Sequence, residues 1–124
     1  MKFLFEDLLV YQKAMIVAKL ILRLTSEAPK GTASLVDQLR RASMSIPANL
    51  AEGCGRWHPN DRKQFFWIAR GSVNECIVFI ELGVTQNVLT EENQAELRNK
   101  LEEIGRMITG LIAATAKHTL KTST

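Results

Sequence analysis

Nowhere in this 124-residue sequence do apolar residues run on for the roughly 20 positions a membrane-crossing helix needs. The apolar stretches Ile16 to Ala18 and Leu20 to Leu22, for example, are cut by Lys19 and Arg23. Glu6 and Asp7 follow Phe3-Leu4-Phe5 too closely for a signal-peptide core, so a cytoplasmic location is expected. Cysteine and histidine are scarce: Cys54, Cys76, His58 and His118 are all there are. Cys54 and His58 supply at most two neighbouring ligands where a structural zinc site takes four, so neither metal nor cofactor is expected. The cysteines read as a helix-end residue (Cys54) and a small core residue (Cys76), both reduced in the cytosol. Alternating strand patterns are absent too. What remains, 46% hydrophobic and 23% charged residues, suits one soluble domain and excludes disorder. The net charge of +3 permits a nucleic-acid partner without requiring one.

Four segments carry apolar residues at helical spacing, with prolines and glycines between them. The first spans about residues 6–25. Leu8, Tyr11, Met15, Ala18 and Leu22 mark one face, but Leu9, Val10, Ile16, Val17, Leu20, Ile21 and Leu24 cover much of the rest. A helix apolar nearly all round is buried on more than one side. The second spans about 33–53 with the stripe Leu35, Leu39, Ala42, Ile46 and Leu50. Pro47 inside it predicts a kink, or else a break into two helices, and Gly53 and Gly55 suit a left-handed cap. The third spans about 59–86, opens on Pro59, and carries Phe65, Ile68, Ala69, Ser72, Cys76, Phe79 and Leu82. The fourth spans about 90–116, capped by Thr90, with the stripe Leu97, Leu101, Ile104, Ile108 and Leu111. Short connections between long helices predict an all-α, antiparallel up-down-up-down four-helix bundle filling residues 1–124.

A polar stripe runs beside the apolar one on the second helix: Gln38, Arg41, Ser45, Asn49, Glu52 and Arg56. Ser72 and Glu75 sit among apolar neighbours on the third. Buried polar groups must be paired, so Arg41, Ser45, Asn49, Glu52, Ser72 and Glu75 are read as a structural network around Pro47. The alternative, Glu52 and Glu75 as hydrolytic acid and base, has no nucleophile, metal or placed histidine to work with, and no enzyme is expected.

The run from Gln38 to Arg56 (QLRRASMSIPANLAEGCGR) and that from Phe65 to Glu75 (FFWIARGSVNE) closely resemble the 23S rRNA-intervening-sequence protein family. The opening Phe5 to Ala14 (FEDLLVYQKA) is similar to that family's first helix. The resemblance implies a four-helix bundle, commonly a homopentamer, with no established enzymatic activity. Related bundles serve as accessory proteins of diversity-generating retroelements, contacting a reverse transcriptase and nucleic acid. The chain departs from the family in its short first loop, in His58-Pro59 where a hydroxyl cap is usual, and in Arg62, where an aromatic or apolar residue is frequent.

Two partners are therefore weighed. RNA or DNA would be met by the basic excess of Arg40, Arg41, Arg56, Arg62, Lys63 and Arg70. In an up-down bundle the end carrying both termini would gather Arg56, Arg62, Lys63, Lys117 and Lys121 as the nucleic-acid-binding set, while Glu27, Glu91, Glu92 and Glu96 mark the other end. A protein partner such as a reverse transcriptase would instead meet a self-assembled scaffold. Trp57 and Trp67 are read as packing residues at a junction or interface, with base stacking the alternative. The first helix, with Phe66 and Trp67, is expected to be buried between copies.

Overall fold

A computed structural model describes residues 3–122 of the chain, with side chains over residues 3–115. Lys117 and Lys121, expected in the basic set, lie outside the described side chains. Four α-helices form: α1 (Leu9–Leu24), α2 (Ala33–Cys54), α3 (Pro59–Thr85) and α4 (Glu91–Thr122). No strand occurs among the described residues.

The first helix starts later than its sequence pattern predicts. Leu4–Asp7 is a short 3-10 helix, and Leu8 is extended before α1 begins. The backbone N–H of Phe3 donates to Glu6 Oε1 (2.9 Å), and Gln12 Nε2 donates to the carbonyl of Glu6 (2.8 Å). The Phe5 ring stacks on Phe3 and meets Tyr11 edge-on, centroids 5.8 and 5.0 Å away. Aromatic packing and Glu6 thus hold a separate turn where the pattern extends the helix. The core face of α1 also differs: Val10, Ala14, Val17, Ala18 and Ile21 are buried, while Tyr11, Met15 and Leu22 lie at its edge.

Helix α2 runs unbroken through Pro47, which is itself buried, so the division into two helices does not occur. Gly53 and Gly55 are not left-handed. Gly53 lies inside the helix, and Gly55 has φ −83°. Gly53 serves close approach instead: a Cβ there would sit 2.5 Å from the Phe66 ring and 3.2 Å from the Arg62 carbonyl. Phe66 is accordingly buried in the core, not between copies, and α3 turns Phe66, Ala69, Ser72, Val73, Cys76, Ile80 and Gly83 inward. Ile68 and Leu82, read as core residues, are exposed.

The turn after α3 rests on Asn87, whose φ of 60° is left-handed. The amide of Val88 donates to the Gly83 carbonyl (2.8 Å) and that of Asn87 to Val84 (3.1 Å), which satisfies the last carbonyls of the helix. Val88 and Leu89 are then buried against the core. Thr90 caps α4 as its sequence predicts: Asn93 N–H donates to Thr90 Oγ1 and Thr90 N–H to Asn93 Oδ1, both at 3.0 Å.

Each helix packs on its neighbours in the order α1–α2–α3–α4 and back to α1, with no close backbone approach across the diagonals among the described residues. Leu39, Ile46, Leu50, Phe66, Ile80, Leu97, Leu101, Ile104 and Ile108 fill the shared core, each contributing roughly 1.5–3 kcal/mol by leaving water. Polar ties cross the seams. Arg40 Nε donates to the buried Thr25 Oγ1 (2.9 Å) and Arg40 Nη2 to the Leu22 carbonyl (3.3 Å), so its charge sits at the negative end of α1. Lys13 pairs with Glu103 of α4 at 2.6 Å.

Gly53→Ala is expected to lower stability by about 1–3 kcal/mol, because Phe66 cannot withdraw from a packed core without strain. Gly110→Ala, which meets open space, should raise it by about 0.5–1 kcal/mol. Urea unfolding of both variants checks the pair, and an unchanged Gly53→Ala midpoint refutes the close-approach account.

Candidate nucleic-acid interface

The four-residue connection between α2 and α3 concentrates the basic residues singled out in the sequence. Arg56, Trp57, His58 and Arg62 line one surface depression together with Cys54, Gly55 and Pro59. Trp57 is 87% exposed, so it packs neither in the core nor at a junction within the chain. The Arg56 guanidinium lies over the Phe65 ring, 4.7 Å from its centroid, and Arg56 Nη2 donates to Glu52 Oε1 at 3.1 Å. One fork of the guanidinium is held this way while other N–H donors stay available. Lys63 is half-buried one turn into α3.

Arg62 differs from its neighbours. It is half-buried, and its Nε is a buried donor with no hydrogen-bond partner among the described residues. It also lines a second depression with Leu4, Leu8, Phe66 and Leu111, and Asp7, Cys54 and Thr115 share that lining, so its stem meets apolar side chains and its charge meets a carboxylate-bearing wall. Its stem belongs to the packing of this end of the bundle.

A second basic feature was only half visible in the sequence. Arg70, Arg98 and Arg106 line a groove between α3 and α4 with Asn74 and Glu102. Arg70 Nε donates to Thr109 Oγ1 (2.6 Å), and Arg98 Nε to Glu102 (3.2 Å). The spacing of four from Arg98 through Glu102 to Arg106 was the available signal; that Arg70 faces them depends on how α3 is rotated.

The polar network is smaller than the six residues read from the sequence. Ser72 Oγ donates to Ser45 Oγ across the α2–α3 seam (2.9 Å), and Asn49 Nδ2 donates to the Ser45 carbonyl (2.8 Å) and hydroxyl (2.9 Å). Arg41, Glu52 and Glu75 stay outside it. Arg41 pairs with Asp37 and Glu52 with Arg56, each one helical turn away on the same exposed face. Glu75 is exposed on α3. Charged side chains with an i,i+4 partner at the surface avoid the desolvation that a buried network would demand. Glu52 and Glu75 share no hydrogen bond, and no group of three metal-ligating side chains occurs among the described residues.

The family model for the 23S rRNA-intervening sequence protein matches residues 6–110. The chain belongs to this family. A crystal structure of a protein of unknown function from the S23 ribosomal protein family of Bacteroides thetaiotaomicron VPI-5482 shares the fold, with a TM-score of 0.73 at 24% identity, covering 84% of this chain and 98% of that one. No curated protein matches the chain.

In this member of the 23S rRNA-intervening sequence family both thiols are muted. Burial pushes Cys76 up to about 12, with the Glu75 carboxylate adding to the effect. Burial also raises Cys54, against the opposing pull of the Arg62 charge. At neutral pH both are protonated and are weak nucleophiles.

Two outcomes follow from this arrangement. A thiol reagent at pH 7 should modify Cys54 slowly and leave Cys76 intact until denaturant is added; rapid labelling of Cys76 in the native protein contradicts its burial. Glu52→Ala should shift stability by no more than about 0.5–1 kcal/mol, as for an exposed ion pair. Ser72→Ala should cost about 1 kcal/mol through the lost seam bond. Thermal melts of the two variants that rank them the other way would restore Glu52 to the network.

Proposed function

We propose that this chain is a non-catalytic, self-associating bundle that holds nucleic acid at its α2–α3 turn. The observation that carries the reading is Trp57, almost fully in solvent beside Arg56 and His58, with Lys63 one turn into α3. An exposed aromatic offers a stacking face to any base, while neighbouring cations meet phosphates without regard to sequence. The absence of a paired-carboxylate site among the described residues favours binding over catalysis.

The finer architecture belongs to the same proposal. An up-down-up-down course is supported by paired registers: Ser45 opposite Ser72 and Gly53 against Phe66, then Val73 beside Gly105 and Arg70 bonded to Thr109. In both of these helix pairs, α2–α3 and α3–α4, one residue number rises as the other falls. That course brings the α2–α3 turn to the same end of the bundle as the start of α1 and the far end of α4. A ring of five copies, taken from the family resemblance, would repeat that end around one axis and let weak contacts act together. No helix among the described residues is long and apolar enough to cross a membrane. A protein partner such as a reverse transcriptase is the competing reading, favoured by the apolar row on the outside of α3.

Filter binding with single-stranded RNA and DNA across a salt series tests the proposal. Replacing Arg56 and Lys63 with Ala should weaken binding about tenfold or more and flatten its salt dependence. Trp57→Ala should lower single-strand affinity by roughly 1–3 kcal/mol while leaving the salt slope unchanged. Arg62 is left intact because it is part of the packing. Wild-type protein that fails to bind at low salt overturns the nucleic-acid reading, and the scaffold reading replaces it.

A further inference from the structure

The face of α3 that points away from the core is not polar. Trp67, Ile68, Val78 and Leu82 lie there, between 46 and 57% exposed. Ile68, Gly71, Glu75, Val78 and Leu82 recur at alternating steps of three and four, the spacing of a coiled-coil seam. At Gly71 a Cβ would meet nothing within 4 Å, so the row carries a notch near its middle. From Ile68 to Leu82 this ridge is about 21 Å long at 1.5 Å per residue.

Elsewhere α1 and α2 leave an apolar groove between them. Ala18, Pro47, Ala48 and Ala51 supply small side chains, with Met15, Leu22 and Met44 beside them and Phe5 and Tyr11 toward one end. The one charged residue lining it is Lys19. On α1 the groove runs from Tyr11 to Leu22, about 16 Å by the same rise.

We infer that the α3 ridge of one copy docks into the α1/α2 groove of the next, head to tail. The inference rests on the self-association reading above and specifies its two surfaces. Ridge and groove are convex and concave, of similar length, and apolar. Their charges are complementary: Glu75 sits mid-ridge, Lys19 lines the groove, and neither has an ion-pair partner among the described residues. Pairing two ridges would press Glu75 toward Glu75 inside an apolar seam, and pairing two grooves would leave a gap. A contact between unlike surfaces is heterologous, so each copy keeps one free ridge and one free groove until the assembly closes into a ring. Methionines at the groove (Met15 and Met44) adapt their shape to an incoming ridge.

Mixing two half-disabled variants decides the matter. Val78→Glu with Leu82→Glu spoils the ridge, and Ala48→Arg with Ala51→Arg spoils the groove. All four positions are outside the core, and circular dichroism verifies the helices. By light scattering the wild type should be a closed oligomer and each variant alone a monomer of 13.9 kDa. The mixture should stop at a one-to-one dimer, held by the single intact ridge–groove contact. As a second test, Lys19→Glu and Glu75→Lys should each weaken assembly by about tenfold, and the double reversal should restore it. A wild type that is monomeric at high micromolar concentration overturns self-association altogether. An oligomeric wild type whose groove variant still assembles, or whose mixed variants stay monomeric, overturns this interface alone. A charge reversal without rescue has the same consequence.

Discussion

Phe66 occupies the space into which any side chain at residue 53 would grow, and much of the architecture follows from that contact. The connection between α2 and α3 is only four residues long, so the two helices leave the turn close together. Gly53 removes the obstacle on α2 and lets the Phe66 ring reach the core. Once Phe66 points inward, steps of three and four carry Ala69, Val73, Cys76, Ile80 and Gly83 inward with it. The same rotation sends Trp67, Ile68, Val78 and Leu82 outward, and it turns Arg70 toward Thr109 and α4. A single glycine–aromatic contact therefore sets which residues of the longest well-packed seam are core and which are surface.

That dependence explains what was legible in the sequence. Helix α4 could be read closely because its apolar stripe is narrow and its cap explicit: Leu97, Leu101, Ile104 and Ile108 are buried as their spacing predicts. Helix α3 has two apolar rows of equal periodicity, one through Ile68, Val78 and Leu82 and one through Phe66, Val73 and Ile80. Hydrophobicity has no means of choosing between them; the choice is made across the seam by Gly53. Helix α1 poses the same problem more severely, since it is apolar on nearly every side. The glycines misled for a related reason. Left-handed caps and close approaches both favour glycine, and only tertiary contact tells them apart.

The candidate site divides along similar lines. That basic residues gather at the α2–α3 turn is a property of sequence adjacency and was readable. Whether each is free depends on its neighbours. Arg40 is drawn to the end of α1, Arg56 is shared with Glu52 and Phe65, and the stem of Arg62 is packed. The polar stripe of α2 illustrates the limit: residues spaced by three and four share a face, but the face turns from buried to exposed within one residue's width. Ser45 and Asn49 fall on the seam, and their short side chains reach Ser72. Arg41 and Glu52 fall just outside and pair along their own helix.

A helix apolar on both sides leaves apolar side chains in water when the bundle stands alone. The inward row of α3 is satisfied by α2 and α4, whereas the outward row exposes Ile68, Val78 and Leu82 beside the Glu75 carboxylate, which has no ion-pair partner among the described residues. Each buried methylene is worth roughly 0.8 kcal/mol, so covering three such side chains is a substantial driving force for association. The exposed turn at Arg56 and Trp57 leads straight into the helix that carries this row. Fixing α3 against a neighbour thereby fixes the turn as well, and a closed assembly presents several copies of it in defined orientation. Weak contacts from one turn then become collectively strong, because each bound copy raises the effective concentration of the next. On the proposed reading, assembly and binding would be two consequences of the rotation of one helix.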